Sequence, residues 1–194
     1  MKVASTIFAF AVSVLAFNAA PVHAQDCSND ADPFDIDAAG VDALYSCIEA
    51  KMAEGYAKGD NEVAAAYRNW AVTATRPGVA GPHGERFLMT FANDIAAEQY
   101  LKFEEEGVVM PVGSILAKES FKMSKGVAKV GPLFIMTKLA AGEASETGDW
   151  LYSGVQPNGK PMKFKQSFCH DCHAAWEDQD ALAYPLEEVR ISAN

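Results

Sequence analysis

Cysteine and histidine are scarce in this chain, four of each in 194 residues. Cationic side chains are outnumbered too, 16 against 26 acidic ones, for a net charge of −10. Such a surface repels nucleic acid and anionic lipid and favours solubility and cationic partners. Long apolar runs are also missing. The longest, Val3 to Phe17, falls short of the ~20 residues that a bilayer span needs, so a soluble protein without a membrane contact is expected. No internal repeat or low-complexity linker interrupts the chain, and its length suits one domain with a real core.

The first 24 residues read as a leader rather than as part of the fold. Lys2 supplies a positive start to the apolar run, and Val22-His23-Ala24 gives small-residue spacing for cleavage before Gln25. Residues 1 to 24 are therefore expected to be a secretory signal peptide, and the destination the periplasm. Losing Lys2 would take the net charge to −11.

The few cysteines and histidines are not scattered. Cys169-His170-Asp171-Cys172-His173 places two thiols three positions apart with an imidazole directly after the second. At this spacing both thiols can add to the vinyl groups of one haem while His173 reaches the iron. Two other readings use the same thiols. A zinc site would need two more ligands, from Cys27, Cys47, His83 and His170, and no second pair of matching spacing exists. A redox dithiol would normally open a helix after a strand in a βαβ unit, a pattern the flanking sequence lacks. If Cys169 and Cys172 carry thioethers, Cys27 and Cys47 remain, and in an oxidising compartment a disulfide between them is the expected state.

Along the chain, Val41, Leu44, Tyr45, Ile48, Met52 and Tyr56 form the stripe of an amphipathic helix over Asp37 to Lys58. A strand, after a short helical turn, is expected between Ala64 and Thr75. Arg76-Pro77-Gly78 and Gly81-Pro82-His83-Gly84 read as a rigid loop. Arg86 to Ala92 reads as a strand, and Asn93 to Phe103 as a short helix with Ile95, Tyr100 and Leu101 inward. Further strands are expected at Val112 to Met123, Leu133 to Leu139 and Trp150 to Val155, and Asn158-Gly159 signals a hairpin turning back toward Met162 to Gln166. This order predicts an α+β domain, an antiparallel sheet with segregated helices. It differs from the small all-helical cytochromes, because here the haem attachment comes last.

Several of these segments together resemble the cytochrome P-460 family, which includes the cytochromes c prime-beta. They are Met110-Pro111-Val112-Gly113-Ser114 leading into Ile115 to Phe121, Gly131-Pro132-Leu133-Phe134-Ile135-Met136, Asp149-Trp150-Leu151-Tyr152, and Phe168 through His173. The resemblance covers roughly residues 64 to 185. It divides the chain into a helical segment, 25 to 63, clipped by the disulfide, and a haem domain, 64 to 194. It implies one covalent haem c on one side of the sheet, usually in a homodimer, with His173 proximal and the distal site open. Members whose haem is also linked to a lysine oxidise hydroxylamine, and those without the link bind nitric oxide or other diatomic ligands. Lys118 is the lysine to carry over, against its reading as an exposed strand lysine.

The expected function is thus a mono-haem c-type cytochrome that oxidises hydroxylamine or converts related nitrogen oxides, passing electrons to a soluble redox partner. Two alternatives stand beside it: a non-catalytic cytochrome binding nitric oxide or carbon monoxide, and a six-coordinate electron carrier. For the carrier, Met110 is the best methionine ligand candidate, although methionine is more often plain core. A general base near the iron would assist hydroxylamine oxidation. Glu143 is a loop candidate for it, whereas Glu119 points away from Lys118 if the strand is regular. His83 reads as a loop residue with a backbone partner, and His170 as pointing to solvent. Phe87, Phe91, Phe121 and Phe134 are placed to contribute to an apolar distal wall.

Overall fold

A computed structural model describes residues 27–191, so the expected leader lies outside the described residues. Helix α1, Ala38–Tyr56, begins at Asp37, whose carboxylate accepts from the Gly40 N–H at 2.8 Å. Its inward stripe is the one the sequence predicts: Val41, Leu44, Ile48, Met52 and Tyr56 are buried. The short α2, Glu62–Ala66, starts at an Asn61 cap and runs into a single 3-10 turn at Tyr67–Asn69. The strand expected by Thr75 shrinks to two residues, β1 at Ala71–Val72.

The segment read as a rigid loop contains a strand. β2, Gly78–Ala80, pairs antiparallel with β3, Arg86–Ala92, and the Gly81–His83 turn closes the hairpin. Helix α3, Asp94–Tyr100, is capped by Asn93 and buries Ala96 and Tyr100, while Ile95, expected inward, is exposed. The long β4, Ile115–Ser124, turns through Lys125 and Gly126, at φ 52° and 73°, into β5, Val127–Val130. β6, Leu133–Lys138, and β7, Trp150–Val155, complete the sheet. Asn158-Gly159 does reverse the chain, but only a single bridge, Val155 to Pro161, follows it before α4, Gln166–His173, begins.

Every pairing is antiparallel, in the order β1-β3-β4-β6-β7, with β2 sharing β3's edge and β5 sharing β4's. This is the α+β class that the sequence predicts. The two faces of the sheet carry different loads. On one, Phe87, Phe91, Ala117, Phe121, Ile135 and Leu133 pack with α1. On the other, Leu116, Met136 and Tyr152 pack with α3 and with the C-terminal Ala181 and Leu182. Period-two alternation along β4 therefore sends neighbouring side chains into different cores.

Cys27 and Cys47 form a disulfide with Cα atoms 5.6 Å apart. Because the Cys27 carbonyl also accepts from the Ala128 N–H at 2.7 Å, the bond ties α1 to the segment that extends the sheet along β5. The end of α1 is held by close approach. A Cβ on Gly59 would lie 2.0 Å from the Gly159 carbonyl oxygen, and one on Gly55 2.4 Å from that of Pro157, so only glycine admits the 157–159 turn this near.

Candidate functional site

A cavity lies between the α3-side face of the sheet and the C-terminal segment. Its sheet wall carries Leu88 and Thr90 from β3 and Lys118 from β4, its far wall carries Cys172 and His173 from α4, and Gly81, Pro82 and His83 stand at the β2–β3 hairpin. Trp176, Tyr184 and Leu186 close the remaining side. The mainly apolar lining with a few convergent polar groups is that of a small-molecule or cofactor site.

His173 is oriented from behind. Its Nδ1 is 2.6 Å from the Ala181 carbonyl oxygen, and since a carbonyl only accepts, Nδ1 carries the proton and Nε2 keeps a free lone pair. Burial, with Lys118 nearby, pushes its pKa down to about 3, which keeps the ring neutral and able to coordinate. The Ala181 carbonyl is aimed by unusual backbone. Asp180, Ala181 and Ala183 all have positive φ, at 53°, 61° and 48°, a conformation costly for residues with a Cβ. Asp180 anchors this stretch by accepting from the Met110 N–H at 2.8 Å, Lys138 Nζ at 2.7 Å and Trp150 Nε1 at 3.2 Å.

Lys118 is not the exposed strand lysine of the alternative reading. It is 5% exposed, its Nζ lies 3.4 Å from the Leu182 carbonyl oxygen, and none of its ion pairs with a carboxylate occurs among the described residues. Desolvation pushes its pKa down to about 8. Glu119 points to the opposite face, as expected, where it pairs with Arg68 at 2.6 Å and accepts from Tyr45 at 2.8 Å and from Tyr67. That carboxylate belongs to the α1 core and not to the cavity.

Other expectations need correcting. Phe87, Phe91 and Phe121 cannot wall the cavity, because register puts them on the α1 face, and of the four phenylalanines only Phe134 lies near it, against His83. Met110 is plain core beside α3, 2% exposed. Glu143 caps its own loop by accepting from the Ala140 N–H, beside a separate hollow at residues 142–147, so it does not line the cavity. His170 is half-buried rather than turned to solvent, with Nδ1 3.3 Å from Tyr152 Oη.

His83 was missed. It has no backbone partner among the described residues; its ring faces into the cavity beside Phe134 and lies 6.3 Å, centroid to centroid, from His173. Burial and the nearby charges of Lys118 and Arg86 push its pKa down to about 4. The signal in the sequence was a histidine in a Gly-Pro-His-Gly turn, which by itself says only that the turn is tight.

The donor set suits a haem better than zinc or a dithiol. Cys27 and Cys47 are bonded to each other on the other face of the sheet, so they cannot complete a zinc tetrad, and no cluster of three or more potential metal ligands occurs among the described residues. Burial pushes the Cys169 thiol up, the reverse of what an activated redox thiol needs. Cys172 at the cavity, a preset Nε2, and a buried Tyr184 hydroxyl without a hydrogen-bond partner among the described residues all fit a macrocycle with a polar edge. No curated protein matches the chain. A family model, Cytochrome P460, matches residues 64–183, which takes in the sheet wall of the cavity and all of α4. The chain belongs to the Cytochrome P460 family, a family of haem cytochromes.

Proposed function

We propose that this chain is an exported mono-haem c-type cytochrome that oxidises hydroxylamine or converts related small nitrogen oxides, with Lys118 linked to the haem. The observation that carries this reading is Lys118 itself, an amine buried without a carboxylate partner among the described residues, in the cavity that also holds Cys172 and His173. Lysine is seldom buried without a partner, and in this family such a lysine is the mark of the members that turn over hydroxylamine.

Bound haem would supply an iron able to take electrons from the substrate. Cys169 and Cys172 would hold the macrocycle through thioethers, and His173, oriented through Ala181, would offer its Nε2 to the iron. The apolar walls exclude water and sharpen every charge inside. Each electron withdrawn from hydroxylamine would free a proton, and with Lys118 linked to the haem the base left lining the cavity is the neutral His83 ring. Electrons leave to a soluble redox partner, for which the acidic surface favours a cationic one.

A second reading, a cytochrome that binds nitric oxide or carbon monoxide without turnover, draws support from the absence of any carboxylate among the cavity-lining residues. The Lys118→Ala variant separates the two. Intact mass and a pyridine haemochrome spectrum should show haem retained by its thioethers but the additional link lost, and hydroxylamine turnover with an artificial acceptor should fall at least ~100-fold. Spectra identical to wild type would remove the cross-link and leave the ligand-binding reading.

A further inference from the structure

The chain that leaves α4 at His173 comes back to it eight positions later, where the Ala181 carbonyl oxygen meets His173 Nδ1 at 2.6 Å. The next carbonyl along, that of Leu182, lies 3.4 Å from Lys118 Nζ. Consecutive main-chain oxygens of one strap therefore face the two nitrogens on which the haem reading depends. Nothing in the strap's own conformation holds it there. Asp180 and Ala181 sit at φ 53° and 61° and Ala183 at 48°, and such backbone in residues with a Cβ persists only where the surroundings over-determine it.

Asp180 supplies that constraint. Its Oδ1 accepts from Lys138 Nζ at 2.7 Å and from Trp150 Nε1 at 3.2 Å, and its Oδ2 from the Met110 N–H at 2.8 Å. Its main-chain oxygen accepts from Trp150 Nε1 at 2.8 Å. Lys138 and Trp150 are cross-strand partners at the last position of β6 and the first of β7. Lys138 Nζ is fixed further by donating to the Gly148 carbonyl at 2.9 Å and by the Trp150 ring, whose centroid is 5.0 Å away. The two side chains of the ion pair are only 12% and 15% exposed, so solvent screens it little. One end of the sheet thus fixes a strap that has no regular structure beyond its opening turn.

We propose that Asp180 is a positioning residue of the haem site: through Lys138 and Trp150 it sets where the Ala181 and Leu182 carbonyls stand, and so how strongly His173 donates to the iron and where Lys118 presents its amine. This inference rests on the haem-site reading above and adds a residue that does not line the cavity and acts only through others. A carbonyl held firmly on the Nδ1 proton makes Nε2 a stronger donor, which favours ferric over ferrous iron. Releasing the strap weakens that donor and takes from Lys118 its one polar contact among the described residues.

The test uses the full haem-loaded chain, read by resonance Raman and by redox titration. Asp180→Gly accepts the left-handed backbone and removes every side-chain anchor. The iron–histidine stretch of its ferrous form should fall in frequency, and the ferrous-to-ferric ratio at a fixed mediator poise should rise about 10-fold. The fraction of chains carrying the additional Lys118 link should fall as well. Asp180→Asn, which keeps an acceptor for the Met110 N–H, should lie between this variant and wild type. Lys138→Met should move both readouts in the same direction, and it decides the matter if Asp180→Gly does not fold. Met52→Ala, which loosens the opposite core, should leave both at their wild-type values. An unchanged stretch and potential in the folded Asp180→Gly or in Lys138→Met, or an equal shift in Met52→Ala, overturns the assignment. A wild type without the Lys118 link removes only that reading, since the stretch and the potential still test Asp180. A purified chain with no pyridine haemochrome signal and no added mass removes the haem reading, and the assignment with it.

Discussion

Lys118 and Glu119 are adjacent, both buried, and opposite in circumstance. Glu119 has Arg68, Tyr45 and Tyr67 around it, and removing the carboxylate leaves Arg68 half-buried without its main partner. Glu119→Ala should therefore cost about 3–5 kcal/mol in urea unfolding and leave the haem spectrum unchanged, because its contacts lie on the α1 face. Lys118 has no such company. With its pKa lowered from 10.5 to about 8, it is neutral in the folded chain over a range in which the unfolded chain still holds its proton. The penalty is full below pH 8, and stability rises with pH until it vanishes near 10.5, by about 3 kcal/mol in all. Urea midpoints of chain without attached haem, compared with Lys118→Met at each pH, would show this difference, and a linked Lys118 would not. Alternation in the sequence was enough to put these two residues on opposite faces. It could not say which face holds the cavity, because Glu119's partners lie 51 to 74 positions away.

At the scale of elements, the strands β3, β4, β6 and β7 were legible because each is long enough to alternate or bury continuously. β2 and β5, at three and four residues, were not: their extended form comes from the neighbour they pair with and not from their own composition. Helix α1 was legible from its stripe, and its disulfide from cysteine count. Cys47→Ser should cost about 3 kcal/mol for a bond spanning 20 positions, seen as a lower denaturation midpoint with the visible spectrum preserved. The left-handed stretch around Ala181 was invisible, because no glycine or asparagine marks it. Ala183→Gly at φ 48° should raise stability by about 0.5–1 kcal/mol by relieving that backbone, again measured by urea unfolding.

Across the whole molecule, the sheet separates a part devoted to stability from a part devoted to chemistry. Met52, fully buried in the α1 core, can be cut to alanine at a cost of about 2–5 kcal/mol while the cavity on the other face keeps its walls. The net charge of −10 belongs to this scale as well. Electron transfer to a cationic acceptor should slow as ionic strength rises, and stopped-flow rates at ~10 and ~200 mM salt would measure it. The partition also keeps two kinds of sulfur apart: Cys27 and Cys47 are bonded on the α1 face, while Cys169 and Cys172 are free thiols on the other, so exchange between the two pairs would require the folded sheet to open.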